Sequence, residues 1–167
     1  MRTDASHPRD ASRRTWVLAA GIVLAVLVMD QLTKIWAVAA LSDAPIHIAG
    51  DSVRFLLARN PGGAFSFLST AGVTPLLAIL AIGVTVFLVR LMARNDDVWL
   101  TLALALVLGG ALGNLSDRIF RSPGLLRGRV IDFVAVGRFP VFNVADASLT
   151  VGIAILLVCS FRRPANV

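Results

Sequence analysis

From Trp16 to Leu41 the chain reads Trp-Val-Leu-Ala-Ala-Gly-Ile-Val-Leu-Ala-Val-Leu-Val-Met-Asp-Gln-Leu-Thr-Lys-Ile-Trp-Ala-Val-Ala-Ala-Leu. A bilayer core of about 30 Å is crossed by about 20 helical residues, and this run is longer than that. Its apolar character is interrupted only near the end, by Asp30, Gln31, Thr33 and Lys34. An isolated charge in hydrocarbon costs several kcal/mol unless it is paired or hydrogen-bonded. Asp30 and Lys34 are four residues apart, so on a helix they face the same side and can neutralise each other. The run therefore reads as one membrane span with an ion pair near one end. That pair is either a helix–helix staple or part of a larger polar network at the outer end of the span.

Three further apolar runs follow, at about Val73–Met92, Val98–Phe120 and Val144–Phe161. The expected fold class is mainly α: an integral membrane protein of four transmembrane helices. Of the 167 residues, 57% are apolar, and the mean hydropathy of +0.80 lies outside the range of water-soluble domains. The expected organisation is a basic tail at 1–15, one four-span domain at 16–162 and a short tail at 163–167. Met1–Arg14 and the last few residues read as disordered. A cleaved signal peptide fits the basic start, but the apolar run continues past Lys34 to Leu41, too long for the core of such a leader.

Sixteen Lys and Arg stand against ten acids, all of them Asp. The surplus does not read as a nucleic-acid signature, since half of the basic residues lie in the tails and the central polar loop, where they suit anionic headgroups. Four spans put both tails on one side. Eight arginines fall on the tail side and seven on the other, close to a tie. Arg13 and Arg14 directly before the first span, with Arg162 and Arg163 directly after the last, favour cytoplasmic termini. Cys159 is the single cysteine and His47 stands apart from His7, which rules out an internal disulfide and leaves no metal-binding cluster.

The two segments on the far side are rich in strand formers. Ile46–Phe67 contains Ile-His-Ile and then Ser52-Val53-Arg54-Phe55-Leu56-Leu57-Ala58-Arg59. Arg129–Phe142 reads as two short strands with a turn at Gly137-Arg138. A small extracytoplasmic sheet capping the bundle is expected. On its strand, Asp132 shares a face with Val130, Val134 and Val136.

Two aspartates then stand out. Asp132 sits in Val130-Ile131-Asp132-Phe133, where apolar neighbours raise a carboxyl pKa. Asp146 sits in Asn143-Val144-Ala145-Asp146, which resembles a capping box at the start of the fourth span and would hold that acid ionised. Two carboxylates held close share a proton, the arrangement an aspartic peptidase needs. Spacing alone does not establish contact between residues 14 apart. Elsewhere, Arg59-Asn60-Pro61-Gly62-Gly63-Ala64-Phe65-Ser66 is either an ordinary loop or a turn whose Asn60 amide holds a peptide backbone. In Gly109-Gly110-Ala111-Leu112-Gly113-Asn114-Leu115-Ser116-Asp117-Arg118, Gly109 and Gly113 suit tight helix packing. The polar residues at that helix end read as braces for neighbouring loops.

Taken in order, Asp30-Gln31-x-Thr33-Lys34, Asn60-x-Gly62-x-Ala64-Phe65, Gly113-Asn114-x-x-Asp117-Arg118, Val130-x-Asp132-Phe133 and Phe142-Asn143-x-Ala145-Asp146 resemble lipoprotein signal peptidase, or signal peptidase II, over nearly the whole chain. The resemblance implies catalytic Asp132 and Asp146, with Asp30, Lys34, Asn60, Gly62, Asn114, Arg118 and Asn143 as substrate-binding or supporting residues. It implies an aspartic endopeptidase of the bacterial cytoplasmic membrane, with its site near the outer face. Such an enzyme removes the signal peptide of a diacylglyceryl-modified prolipoprotein just before the lipidated cysteine. The expected partners are that substrate and membrane lipids; no cofactor, metal or nucleic acid is expected, and the enzyme is expected to be a monomer. Gly63 stands where the family often has a slightly larger residue, and the 120–128 segment is longer than the short link expected before Asp132. Cys159 follows Ile-Leu-Leu-Val, without the small residues of a lipidation site. A proton- or ion-coupled transporter would also hold carboxylates in a bundle, but near the midplane and within repeated halves. A non-catalytic assembly subunit would explain the packing glycines and leave both aspartates without a task.

Overall fold

The four apolar runs form α1 (Pro8–Ala40), α2 (Val73–Ala93), α3 (Val98–Phe120) and α4 (Val144–Arg162); three strands, β1 (Ile46–Ala49), β2 (Val53–Asn60) and β3 (Val130–Val136), lie between them. The structure is a computed structural model that describes residues 8–62, 73–94 and 97–162. Each helix contains a span long and apolar enough to cross a membrane. The expectation of disorder needs correction for residues 8–14, because α1 starts at Pro8, while residues 1–7 and 163–167 lie outside the described residues. Proline suits the first helical position, and the Ala and Arg residues after it are good helix formers. Pro75 likewise falls in the first turn of α2, where its missing N–H costs no helical bond. Asp97 caps α3, its Oδ1 accepting the Leu100 N–H at 3.2 Å.

α3 is the central helix and packs against α1, α2 and α4. In its most apolar 18-residue stretch 56% of residues are buried, against 11–17% in those of the other three. Small residues at Ala103, Ala105, Gly109, Gly110 and Gly113 let its neighbours close in. Leu24, Leu32, Leu80, Phe87 and Leu157 on the outer helices point away from the protein, a distribution suited to hydrocarbon and costly in water. Gly113 is needed for contact: a Cβ there would lie 2.6 Å from the Asp30 carboxylate, and one at Gly109 would lie 2.8 Å from Cβ of Val26. The small face of α3 is thus the seat of α1.

The strands form one antiparallel sheet in the order β1-β2-β3. Phe55 pairs with Val134 and Ala58 with Asp132, so β2 carries one extra residue between them, a bulge that re-aims the rest of the strand. The second strand expected after Gly137 is instead a single bridge, Val134 to Phe142. Pro140 has no N–H to extend a ladder. Side-chain alternation on β3 sends Ile131 and Phe133 into a cluster with Ala37 and Leu41 of α1, and Asp132 to the opposite face.

Candidate active site

Lys34 is fully buried, and its Nζ lies 2.8 Å from Asp30 and 2.8 Å from Asp117. Its third proton goes to Asn114 Oδ1 at 3.0 Å, which uses up the donors of an ammonium group. Asp117 also pairs with Arg121 Nε at 2.6 Å, so two carboxylates meet two cations. The carboxylates then hold backbone. Asp30 Oδ1 accepts the Ala145 N–H at 2.9 Å in the first turn of α4. Asp117 Oδ2 accepts the Ile131 N–H at 3.1 Å in β3. Gln31 Nε2 bridges Asp30, the Gly113 carbonyl and Asp117. This cluster fixes the two elements that carry Asp132 and Asp146.

Asn143 and Asp146 form the reciprocal cap that their spacing suggests. Asn143 Oδ1 accepts the Asp146 N–H at 2.9 Å, and Asp146 Oδ2 accepts the Asn143 N–H at 3.2 Å. Asn143 Nδ2 then donates to Asp132 Oδ1 at 2.7 Å and to Asn114 Oδ1 at 3.1 Å. Asn114 Nδ2 donates to Asp146 Oδ1 at 2.8 Å. One asparagine therefore touches both aspartates, and a second ties Asp146 to Lys34.

Asp132 receives its other donor from β2. Asn60 lies two residues beyond Ala58, the partner of Asp132, so it shares the same sheet face diagonally. Its Nδ2 donates to Asp132 Oδ2 at 3.1 Å. The Gly62 N–H donates to Asn60 Oδ1 at 3.0 Å, which turns the amide group toward the carboxylate. Gly62 has φ +154°, open to glycine and strained for other residues. The Pro61 carbonyl accepts from Arg118 Nη1 at 3.4 Å and from Thr74 Oγ1, tying this turn to α3 and α2. Residues 63–67, with the departure at Gly63, lie outside the described residues.

Both aspartates line one cavity of about 600 Å³, together with Asn60, Phe139, Phe142 and Thr150. Burial pushes the Asp132 carboxyl up from its usual 3.8 to about 6; the charge of Asp146 adds to the rise, while donors from Asn60 and Asn143 oppose it. The face carrying Asp132 is more polar than the valine-lined strand face expected from sequence, because Asn60 and Asn143 reach it from other elements. The 120–128 segment folds back on the end of α3 through Gly128 N–H to the Arg118 carbonyl at 3.0 Å and Arg129 N–H to the Ser122 carbonyl at 3.2 Å.

All nine expected site residues thus gather at one end of the bundle. Gln31 and Arg121 also belong to the cluster, though sequence reasoning gave them no role, and Asp117, read as a brace for neighbouring loops, holds the Ile131 N–H and Lys34. The i, i+4 spacing of Asp117 and Arg121 was the available signal. Phe139, which walls the cavity with Phe142, gave only a strand signal.

A family model described as signal peptidase (SPase) II matches residues 22–162. The chain belongs to the signal peptidase II family. A lipoprotein signal peptidase of Rhodococcus jostii is 52% identical over 83% of this chain and 68% of its own length. One from Mycolicibacterium smegmatis is 47% identical over 93% of this chain and 65% of its own. One from Mycobacterium avium is 43% identical over 95% and 86%. A solved bacterial membrane enzyme superposes with a TM-score of 0.75 at 28% identity, covering 89% of this chain and 90% of that one. This signal peptidase II family member is a multi-pass membrane peptidase with four helices and a small sheet.

Proposed function

We propose that the protein is an aspartic endopeptidase that cuts diacylglyceryl-modified bacterial prolipoproteins just before the lipidated cysteine. The observation that carries the reading is Asn143, which donates to Asp132 through its side chain and to Asp146 through its backbone at the wall of one cavity. Asp146 accepts a proton from the attacking water, and protonated Asp132 polarises the scissile carbonyl. The elevated Asp132 pKa of about 6 suits that assignment. As the C–N bond breaks, Asp146 passes the proton it took to the leaving amine, and Asp132 ends protonated as the new carboxyl forms. Asn60 and Arg118 hold the turn beside the cleft and Lys34 holds the frame behind it. The apolar cavity wall at Phe139 and Phe142 suits an apolar signal peptide and its lipid. The chemistry asks for no cofactor. The reading places the termini in the cytoplasm and the cleft near the outer face, with the monomer as the working unit.

The test is cleavage of a diacylglyceryl-modified prolipoprotein by purified Asp132→Asn and Asp146→Asn variants, near-isosteric but unable to act as acid or base. Each should lose about 100-fold to 10,000-fold in rate. Substantial cleavage by either variant defeats the dyad, and equal cleavage of an unmodified precursor defeats the lipid specificity.

A further inference from the structure

Residues alternate across a sheet, so what lies behind the candidate active site is set by the neighbours of Asn60 and Asp132. Those neighbours, Arg59 and Ile131, are register partners on β2 and β3. They line a second cavity of about 540 Å³ with Arg121, Arg129, Val38 and Phe120. The sheet therefore separates two pockets, one acidic in its chemistry and the other carrying three guanidinium groups. Among the described residues, Arg59 and Arg129 have no carboxylate partner. Arg121 meets Asp117 through Nε, and its Nη groups remain as donors.

The position of this cavity narrows its ligand. Val38 lies in the last turn of α1, which ends at Ala40, and Phe120 is the last residue of α3. Both helices run through the membrane and end on the side of the sheet, so the cavity stands at headgroup depth. Phe120 in the cavity wall is 82% exposed, and Ile35, one helical turn before Val38 on α1, is 59% exposed, giving an apolar surface beside the arginines that suits acyl chains. Planar guanidinium forks match phosphate oxygens, and basic pockets at helix ends bind anionic headgroups. A soluble anion would use the arginines and leave the apolar rim unused.

We propose that this cavity binds the phosphate of an anionic phospholipid, with its acyl chains lying along α1 and α3. The site is independent of the aspartate chemistry, since it uses the opposite face of the sheet.

The experiment reconstitutes the full chain into phosphatidylcholine vesicles and measures the relative association of spin-labelled phosphatidylglycerol and spin-labelled phosphatidylcholine by electron paramagnetic resonance. The wild type should prefer phosphatidylglycerol, and the double variant Arg59→Gln/Arg129→Gln should lower that preference by about tenfold. The control Arg127→Gln/Arg138→Gln removes the same formal charge outside the cavity and should retain the preference. If the first variant does not fold, Arg59→Lys/Arg129→Lys keeps the charge, loses the planar fork and should still weaken the preference. No preference in the wild type, or equal losses in the cavity and control variants, overturns the site. Displacement of the lipid by equimolar glycerol phosphate overturns the lipid as its ligand.

Discussion

Among the described residues, two pairs of buried or half-buried carboxylates differ in what stands between the members. Asp30 and Asp117 flank an ammonium, Lys34, at 2.8 Å on each side. Asp132 and Asp146 flank a neutral residue, Asn143, whose side-chain amide donates to Asp132 at 2.7 Å and whose backbone N–H donates to Asp146 at 3.2 Å. A charged bridge cancels repulsion and leaves nothing for a proton to do. A neutral bridge holds two acids together without cancelling their charge, so a proton becomes the stabilising partner. The first pair is closed and spends its oxygens on the backbone of α4 and β3. The second faces a cavity. The same residue type is scaffold in one place and, under the proposed function, chemistry in the other.

The largest effect should come from breaking the closed pair. Lys34→Met leaves two buried carboxylates short of a cation and should cost about 3–5 kcal/mol, read as a collapse of thermal stability in detergent. A loss under about 1 kcal/mol would mean that the cluster does not carry the fold.

The other pair should respond to pH. Asp132 has a folded pKa of about 6, raised from 3.8, so the folded state binds the proton more tightly than the unfolded one. Its stabilising contribution is full below about 3.8 and is lost as pH rises through about 6. At about 1.4 kcal/mol per pH unit the loss is on the order of 3 kcal/mol. The stability difference between wild type and Asp132→Asn should therefore shift against the wild type across that window. A pH-independent difference would contradict the neutral-bridge account.

Asn143→Ala removes the side-chain half of the cap and the donor to Asp132, while the backbone N–H to Asp146 stays. It should cost about 1–2 kcal/mol in unfolding free energy and reduce cleavage far more than that stability loss explains. Gly62→Ala should have the smallest effect, about 1 kcal/mol from the unfavourable φ. Its accompanying loss of cleavage would reflect the misaligned Asn60 amide, and unchanged activity would remove Asn60 from the positioning role.

These contrasts were unevenly legible. The four helices could be read because spans are long, apolar and bounded by charge. The Asn143–Asp146 cap was legible because it is local, three residues apart on one chain segment. Lys34 showed its i, i+4 neighbour Asp30 but not Asp117, which reaches it across a helix interface set by Gly109 and Gly113. The bulge on β2 was hidden because nothing in Phe55-Leu56-Leu57-Ala58 demands an extra residue, yet it helps set the face on which Asn60 emerges. Phe139–Phe142 matched strand composition but formed a cavity wall, because Pro140 stops the ladder.

Burial and the nearby Asp146 charge, against the Asn60 and Asn143 donors, leave Asp132 holding a proton up to about pH 6. Carboxyl carbon-13 resonances of labelled aspartate, with Asp132 assigned by its absence in Asp132→Asn, test it directly. The account predicts that the Asp132 resonance titrates with a midpoint of about 6. A midpoint at the ordinary carboxylate value of 3.8 would contradict it.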